Sequence, residues 1–311
     1  MTKERPLPAN AAEIVRAVFL VPYDFSVIAG SLDNLKATVP TEIGEISDSF
    51  SQNLKNVIRI LSLPFQYTSA HVHSLHWQRI HIAESIRARN IEESSRESAA
   101  LARARARMDT YLTGEGRDFV ADDVLVRLLS LIDDPESLAT ARELTRQGIV
   151  LTWSAIEVLT RDAFVFLLNR KPNLSDRLFA DPANRKRFAE RLDWATLSSY
   201  QYDLSSRLGC YLISKSDLNN VKSMRDIYGA LFPDAVELQK SLADRRLWNL
   251  YQMRNLIVHK RGIIDKQYLE STGDKRAIGD SLCVKPGEVE DHVEAVLAVG
   301  TEILRQVAAT T

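Results

Sequence analysis

Cysteine is almost missing from this chain: Cys210 and Cys283 are the only two in 311 residues. They stand far apart and without metal-ligand spacing, so neither a disulfide framework nor a Cys-based zinc site is expected. Glycine and proline are sparse too, at 12 and 10 residues. Period-2 alternation is nearly missing, which argues against a sandwich or barrel of short strands. Long apolar runs are lacking: AVFLVP, near the start, is broken by Pro22 and followed by Tyr23 and Asp24. It is too short for a signal h-region and far too short to span a bilayer. Charge of one sign is lacking as well; a formal net charge of −1 rules out a global basic field, so any nucleic acid must be held by a local patch. The expectation is a cytoplasmic protein without membrane contact.

What the sequence does contain is repeated 3.6-residue periodicity, and the fold class it predicts is all-α. Ala11–Val21 reads as a short helix stopping at Pro22. Thr41–Leu63 reads as a longer one, with Ile43, Ile46, Phe50, Leu54 and Leu61 on one face and Pro64 at its end. From Ser69 to Leu112 there is no Pro or Gly, which suits one long helix closed by Gly114-Glu115-Gly116. Its apolar seam lapses between Asn90 and Ser98. This long helical arm is expected to form a hairpin with the Thr41–Leu63 helix and to serve partner contact or regulation. His71, His73, His76 and His81 lie in it, but only His73 and His76 are spaced as helix neighbours. No carboxylate or Cys pattern accompanies them, so they read as solvated or structural and not as metal ligands. Arg103, Arg105 and Arg107 alternate and wind round the helix, a solvated face.

Phe119–Asp134 reads as a short helix, and a helix from about Leu138 to Arg170 carries Ile149, Ile156, Leu159, Ala163 and Leu167 inward. Asp181 is a natural N-cap with Pro182 in the first turn. Arg185, Lys186, Arg187 and Arg191 follow as the densest basic group of this half. The last helix spans Val289–Val307, with Val293, Val296, Val299, Gly300, Ile303 and Val307 facing in. Two domains are expected, 1–118 and 119–311.

The chain is organised around LWNLYQMRNLIVHKRG, Leu247 to Gly262. Trp248, Gln252, Asn255 and His259 form one stripe along a helix, and Leu250, Met253 and Ile257 a neighbouring apolar one. The apolar stripe is expected to face a core and the polar one a cleft. Arg254 lies about 140° round the helix and about 7.5 Å along it from His259. Either the helix ends before His259, or a second copy contributes the missing group. Gly262 suits the position just past the helix end.

Arg254-Asn255-x3-His259 resembles the Arg-polar-x3-His motif of HEPN domains, helical bundles that commonly act as ribonucleases. The stretch RNLIVHKRGIIDKQYLESTGDKRAIGDSLCVKPGEVEDHV is similar to the C-terminal part of the RiboL-PSP-HEPN-type families. Leu151–Arg170 is similar to their first long helix, with Glu157 as its central acidic residue. The resemblance covers roughly Leu138 to Ala308 and nothing before about Asp118. It implies a C-terminal HEPN-type bundle and a homodimer whose two motifs face one another across a shared cleft. The splay of Arg254 from His259 makes the same demand for a two-fold partner.

An Arg/His pair suits RNA cleavage by the substrate's own 2′-hydroxyl, which supplies the nucleophile and calls for neither cofactor nor metal. His259 handles the proton and Arg254 the phosphate charge, while Asn255 orients one or the other. Trp248 and Tyr251 either stack on unpaired bases or pack on the first HEPN-like helix. Glu157 either supports the motif or is a structural carboxylate. Lys260, Arg261, Arg185, Lys186 and Arg187 are the phosphate-contact candidates. The function these residues suggest is a metal-independent endoribonuclease leaving a 2′,3′-cyclic phosphate. Such an enzyme would serve as a toxin held by an antitoxin, or in anti-phage or stress defence. The alternative is a catalytically silent HEPN module whose arm recruits a partner protein or RNA.

Overall fold

A computed structural model describes residues 7–38, 40–114, 116–188, 194–214 and 218–310, except the side chains of residues 23–24 and 36–38. Arg191, Glu115 and the polar start of the chain lie outside the described residues. The described residues form sixteen α-helices and no strand, so the protein is all-α. The first seven are α1 (Ala11–Arg16), α2 (Ser26–Thr38), α3 (Gly44–Leu61), α4 (Leu63–Arg87), α5 (Glu93–Thr113), α6 (Gly116–Asp133) and α7 (Pro135–Arg170). Five short ones follow: α8 (Ser175–Ala180), α9 (Pro182–Phe188), α10 (Trp194–Ser199), α11 (Leu208–Ile213) and α12 (Val221–Leu231). The chain closes with α13 (Val236–Ala243), α14 (Arg245–Lys260), α15 (Lys266–Thr272) and α16 (Pro286–Thr310). Among the described residues no helix is long and apolar enough to cross a membrane.

Two compact units divide the chain, and neither follows the expected cut after residue 118. One comprises residues 1–22 and 61–144; the other comprises 23–60 and 145–311. The segment 23–60 belongs with the C-terminal helices because α3 sends Phe50 into their core. A Cβ built on Gly300 of α16 would lie 2.2 Å from Phe50 Cζ.

In the first unit α4 packs on α5 and α6, and α1 on α6. Val15, Phe19, Val72, Val120, Val124, Leu128 and Ala141 form its core. The expected single helix from Ser69 to Leu112 is not there. A 3-10 turn at Ala88–Asn90 and extended backbone at Ile91 fold the arm back on itself, so the hairpin is α4 with α5 and not with α3. The cause is tertiary. Glu84 is buried on α4 and accepts from Arg87 Nη1 at 2.6 Å and from Arg107 Nη1, across on α5, at 2.7 Å. The Arg107 bond, ahead of Arg87, holds the Glu84 carboxyl below the usual carboxylate range. Pro64 sits in the first turn of α4, where its missing N–H costs nothing.

Three of the arm's histidines have separate structural partners, and His71 is exposed. His76 is buried, its Nε2 is 2.8 Å from Asp123 Oδ2, and its ring stacks on Tyr111. His73 Nδ1 lies 2.7 Å from the Ser69 carbonyl, and His81 stacks on Trp77. No group of three metal-holding side chains occurs among the described residues.

The second unit is built on α7, α14 and α16. The inward face of α7 is buried as expected at Ile149, Ile156, Leu159, Ala163 and Leu167. On α16, Val293, Val296, Val299, Ile303 and Val307 are all fully buried. Tyr228 of α12 ties into α7 by donating to the Thr160 carbonyl at 2.6 Å. Asp181 caps α9, accepting from Asn184 N at 3.0 Å.

Candidate functional site

The helix that carries the motif, α14, starts sharply because Asp244 accepts from Arg246 N at 2.8 Å at its first turn. It runs through to Lys260, so it does not end before His259. Leu247, Leu250, Met253, Leu256 and Ile257 are buried, which fixes the rotation of the helix. The end is left-handed one residue earlier than expected: Arg261 has φ 54° and Gly262 φ 71°. The backbone N–H groups of both donate to the Leu256 carbonyl. Gly262 then accepts from Leu282 N at 2.7 Å. Arg146 of α7 holds that returning stretch through the Leu282 carbonyl (2.8 Å) and Ser281 Oγ (2.5 Å). The far end of α14 is therefore clamped from α7.

With that rotation, Gln252, Asn255 and His259 line a cleft of about 340 Å³. Arg254 lines the same cleft, together with Lys260. Arg254 Nη1 donates to Asn255 Oδ1 at 3.1 Å, drawing the guanidinium toward the polar stripe. His259 is exposed, and Arg254 and Asn255 are half-buried.

The other walls come from outside α14. Asn219 precedes α12; Asp265, Gln267 and Tyr268 belong to the start of α15. Asp265 caps α15, accepting from Tyr268 N at 2.8 Å. Burial pushes the Tyr268 phenol up to about 12, and its hydroxyl donates to Asp274 Oδ2, so it serves as a protonated wall. Arg254 and Lys260 face one carboxylate, Asp265, among the lining residues, which leaves the cleft cationic.

Comparison with family models, curated proteins and solved structures gives no match. The cleft has to be interpreted on its chemistry.

Several of the expected residues lie elsewhere. Tyr251 lines the cleft but is wedged between aromatic rings, with centroids 5.0 Å from Trp153 of α7 and 5.9 Å from Trp248. Trp248 does not line it; its indole donates to the Ser271 carbonyl at 3.0 Å. Glu157 and Arg261 are not among the lining residues either. Nor are Arg185, Lys186 and Arg187. Arg185 donates to the Phe179 carbonyl at 3.0 Å, and Arg187 pairs with Asp226 at 3.2 Å. Lys186 is exposed on the same short helix. Asn219, Asp265 and Gln267 carry no local sequence signal, because they meet α14 only through the fold.

Proposed function

We propose that this protein is a metal-independent endoribonuclease of the HEPN type, acting on RNA through the substrate's own 2′-hydroxyl. The observation that carries the reading is the meeting of Arg254, Asn255, His259 and Lys260 in one open, cationic cleft. Burying Arg254 and His259 with satisfied partners would instead have suited a silent bundle; His259 is exposed to solvent.

In this scheme His259 takes the proton of the 2′-hydroxyl as its oxygen forms a bond to phosphorus. The bond to the 5′-oxygen breaks, and that oxygen takes a proton from solvent. The products are a 2′,3′-cyclic phosphate and a 5′-hydroxyl. Arg254 presents N–H groups to the phosphate oxygens as negative charge builds on them, an interaction that strengthens toward the transition state. Asn255 holds the guanidinium in place, and Lys260 adds positive charge at the rim. DNA lacks the nucleophile and is inert. The resemblance adds a homodimer and a role as a toxin or defence effector restrained by a partner protein; both rest on it alone.

The test is cleavage of a labelled single-stranded RNA in EDTA by wild type, His259→Ala and Arg254→Ala. The expected result is cleavage by wild type, with loss of about 10²-fold or more in each variant. No cleavage by folded protein, or equal cleavage by all three, removes the assignment and leaves a binding module.

A further inference from the structure

Besides its cationic groups, the cleft is walled by carboxamides. Gln252 and Asn255 come from α14, Gln267 from α15 and Asn219 from the segment before α12. The side chains of Gln252 and Gln267 make no hydrogen bond among the described residues, whereas Asn255 Oδ1 is taken by Arg254 and Asn219 Oδ1 by Asn220. Two free carboxamides from different helices therefore open onto the space that holds Arg254 and His259.

A carboxamide offers an acceptor beside a donor, the pattern that fits a base edge showing an N–H next to a lone pair. A purine can satisfy two carboxamides at once, because its edges carry two separate pairs of an N–H beside a lone pair. Adenine pairs N6–H with N1 and again with N7; guanine pairs N1–H with O6 and N2–H with N3. A pyrimidine satisfies only one: uracil has a single N3–H, and cytosine has one ring acceptor beside its amine. Bases of single-stranded RNA present these edges freely. The cleft volume of about 340 Å³, at the small end of ligand sites, suits one nucleotide and not a duplex.

We propose that Gln252 and Gln267 form a base-reading subsite that selects a purine nucleotide next to the phosphate held by Arg254. This rests on the ribonuclease reading and gives it a substrate preference.

The experiment uses the full chain carrying His259→Ala, in EDTA, and four labelled oligoribonucleotides. These are identical oligouridine strands except at one central position, which is A, G, C or U. Binding is read by fluorescence anisotropy. The two purine strands should bind about tenfold tighter than the two pyrimidine strands, the size of one good bidentate contact. Gln252→Leu with Gln267→Leu should bring the ratio close to one, because the second carboxamide contact open to a purine is removed with the first. Gln267→Glu, which keeps the volume, should change the ratio as well; taking it within each variant cancels the general effect of added charge. Equal binding of all four strands, or a ratio that survives the double variant, overturns the base reading and leaves the ribonuclease intact. No binding to any strand, together with no cleavage by wild type, overturns both.

Discussion

Arg254 donates from Nη1 to Oδ1 of Asn255, its neighbour in the chain, at 3.1 Å. Adjacent helical residues point about 100° apart, so this bond turns a guanidinium that would leave the polar stripe back toward it. Asn255 is thus a positioning residue for Arg254. Asn255→Leu is expected to lower kcat on RNA about tenfold or more while KM changes little, because the charge Arg254 stabilises develops in the transition state. Asn255→Asp keeps the acceptor and should retain more activity than Asn255→Leu. Thermal unfolding of both variants should match wild type; equal kcat in Asn255→Leu and wild type would remove the positioning role.

The motif helix is legible in the sequence, because its polar and apolar stripes are set by strict spacing and because Gln252, Asn255 and His259 recur along one face. The valines of α16 were legible for the same reason. What the sequence hid depends on distant partners. The break at Ala88–Asn90 contains neither Gly nor Pro; it follows from Glu84 meeting Arg107 of the returning helix. Asn219 and Gln267 carry no periodic signal, since the cleft is assembled from three separate stretches of chain. Gly300 stood in line with buried valines, yet nothing local says that Phe50, far earlier in the chain, fills the space beside it.

That contact gives a stability prediction. A Cβ on Gly300 would fall 2.2 Å from Phe50 Cζ and 2.9 Å from Leu159 Cδ2, inside a core where both side chains are fully buried. Gly300→Ala is expected to destabilise the protein by about 1–3 kcal/mol through overpacking. In a Phe50→Leu background the same substitution should cost distinctly less, which a double-mutant cycle in urea would read as coupling. Purely additive effects would show that the ring does not set the cost.

The α4–α5 hairpin depends on a buried carboxylate. Glu84 has 7% of its side chain exposed and accepts from Arg87 and Arg107. Arg107→Met removes its cross-helix partner and is expected to lower the melting temperature. Adding Glu84→Gln should recover part of the loss, because an amide tolerates the missing partner better than an ion does. The Glu84 carboxyl is held below its usual range, chiefly by Arg107. Its contribution is therefore present above the ordinary carboxylate range and fades as pH falls through the lowered value. Hydrogen exchange along α4 and α5 checks the location; unchanged protection in Arg107→Met would dissociate the turn from this contact.

His292 supplies a pH dependence of its own. It is 7% exposed on α16, and its Nδ1 has no hydrogen-bond partner among the described residues. Burial pushes its imidazole down to about 4, and the Arg246 charge acts in the same direction. A backbone bond to Arg246 and the carboxylates of Asp291 and Asp244 oppose them. The folded state holds His292 neutral, while the unfolded chain takes up a proton near 6.5. Stability is therefore complete above about 6.5 and is lost as pH falls from there toward 4, to an extent of about 3 kcal/mol. Asp244 and Asp274 are held below the usual carboxylate range, chiefly by Arg246 and Arg276 respectively, so their losses come at lower pH. His292→Gln lacks the titrating group, and the wild-type minus variant difference isolates it. Chemical unfolding at steps between pH 7 and pH 4 should show wild type weakening and the variant holding its stability until the carboxylates titrate. Parallel curves for the two proteins would mean that some other group carries the dependence.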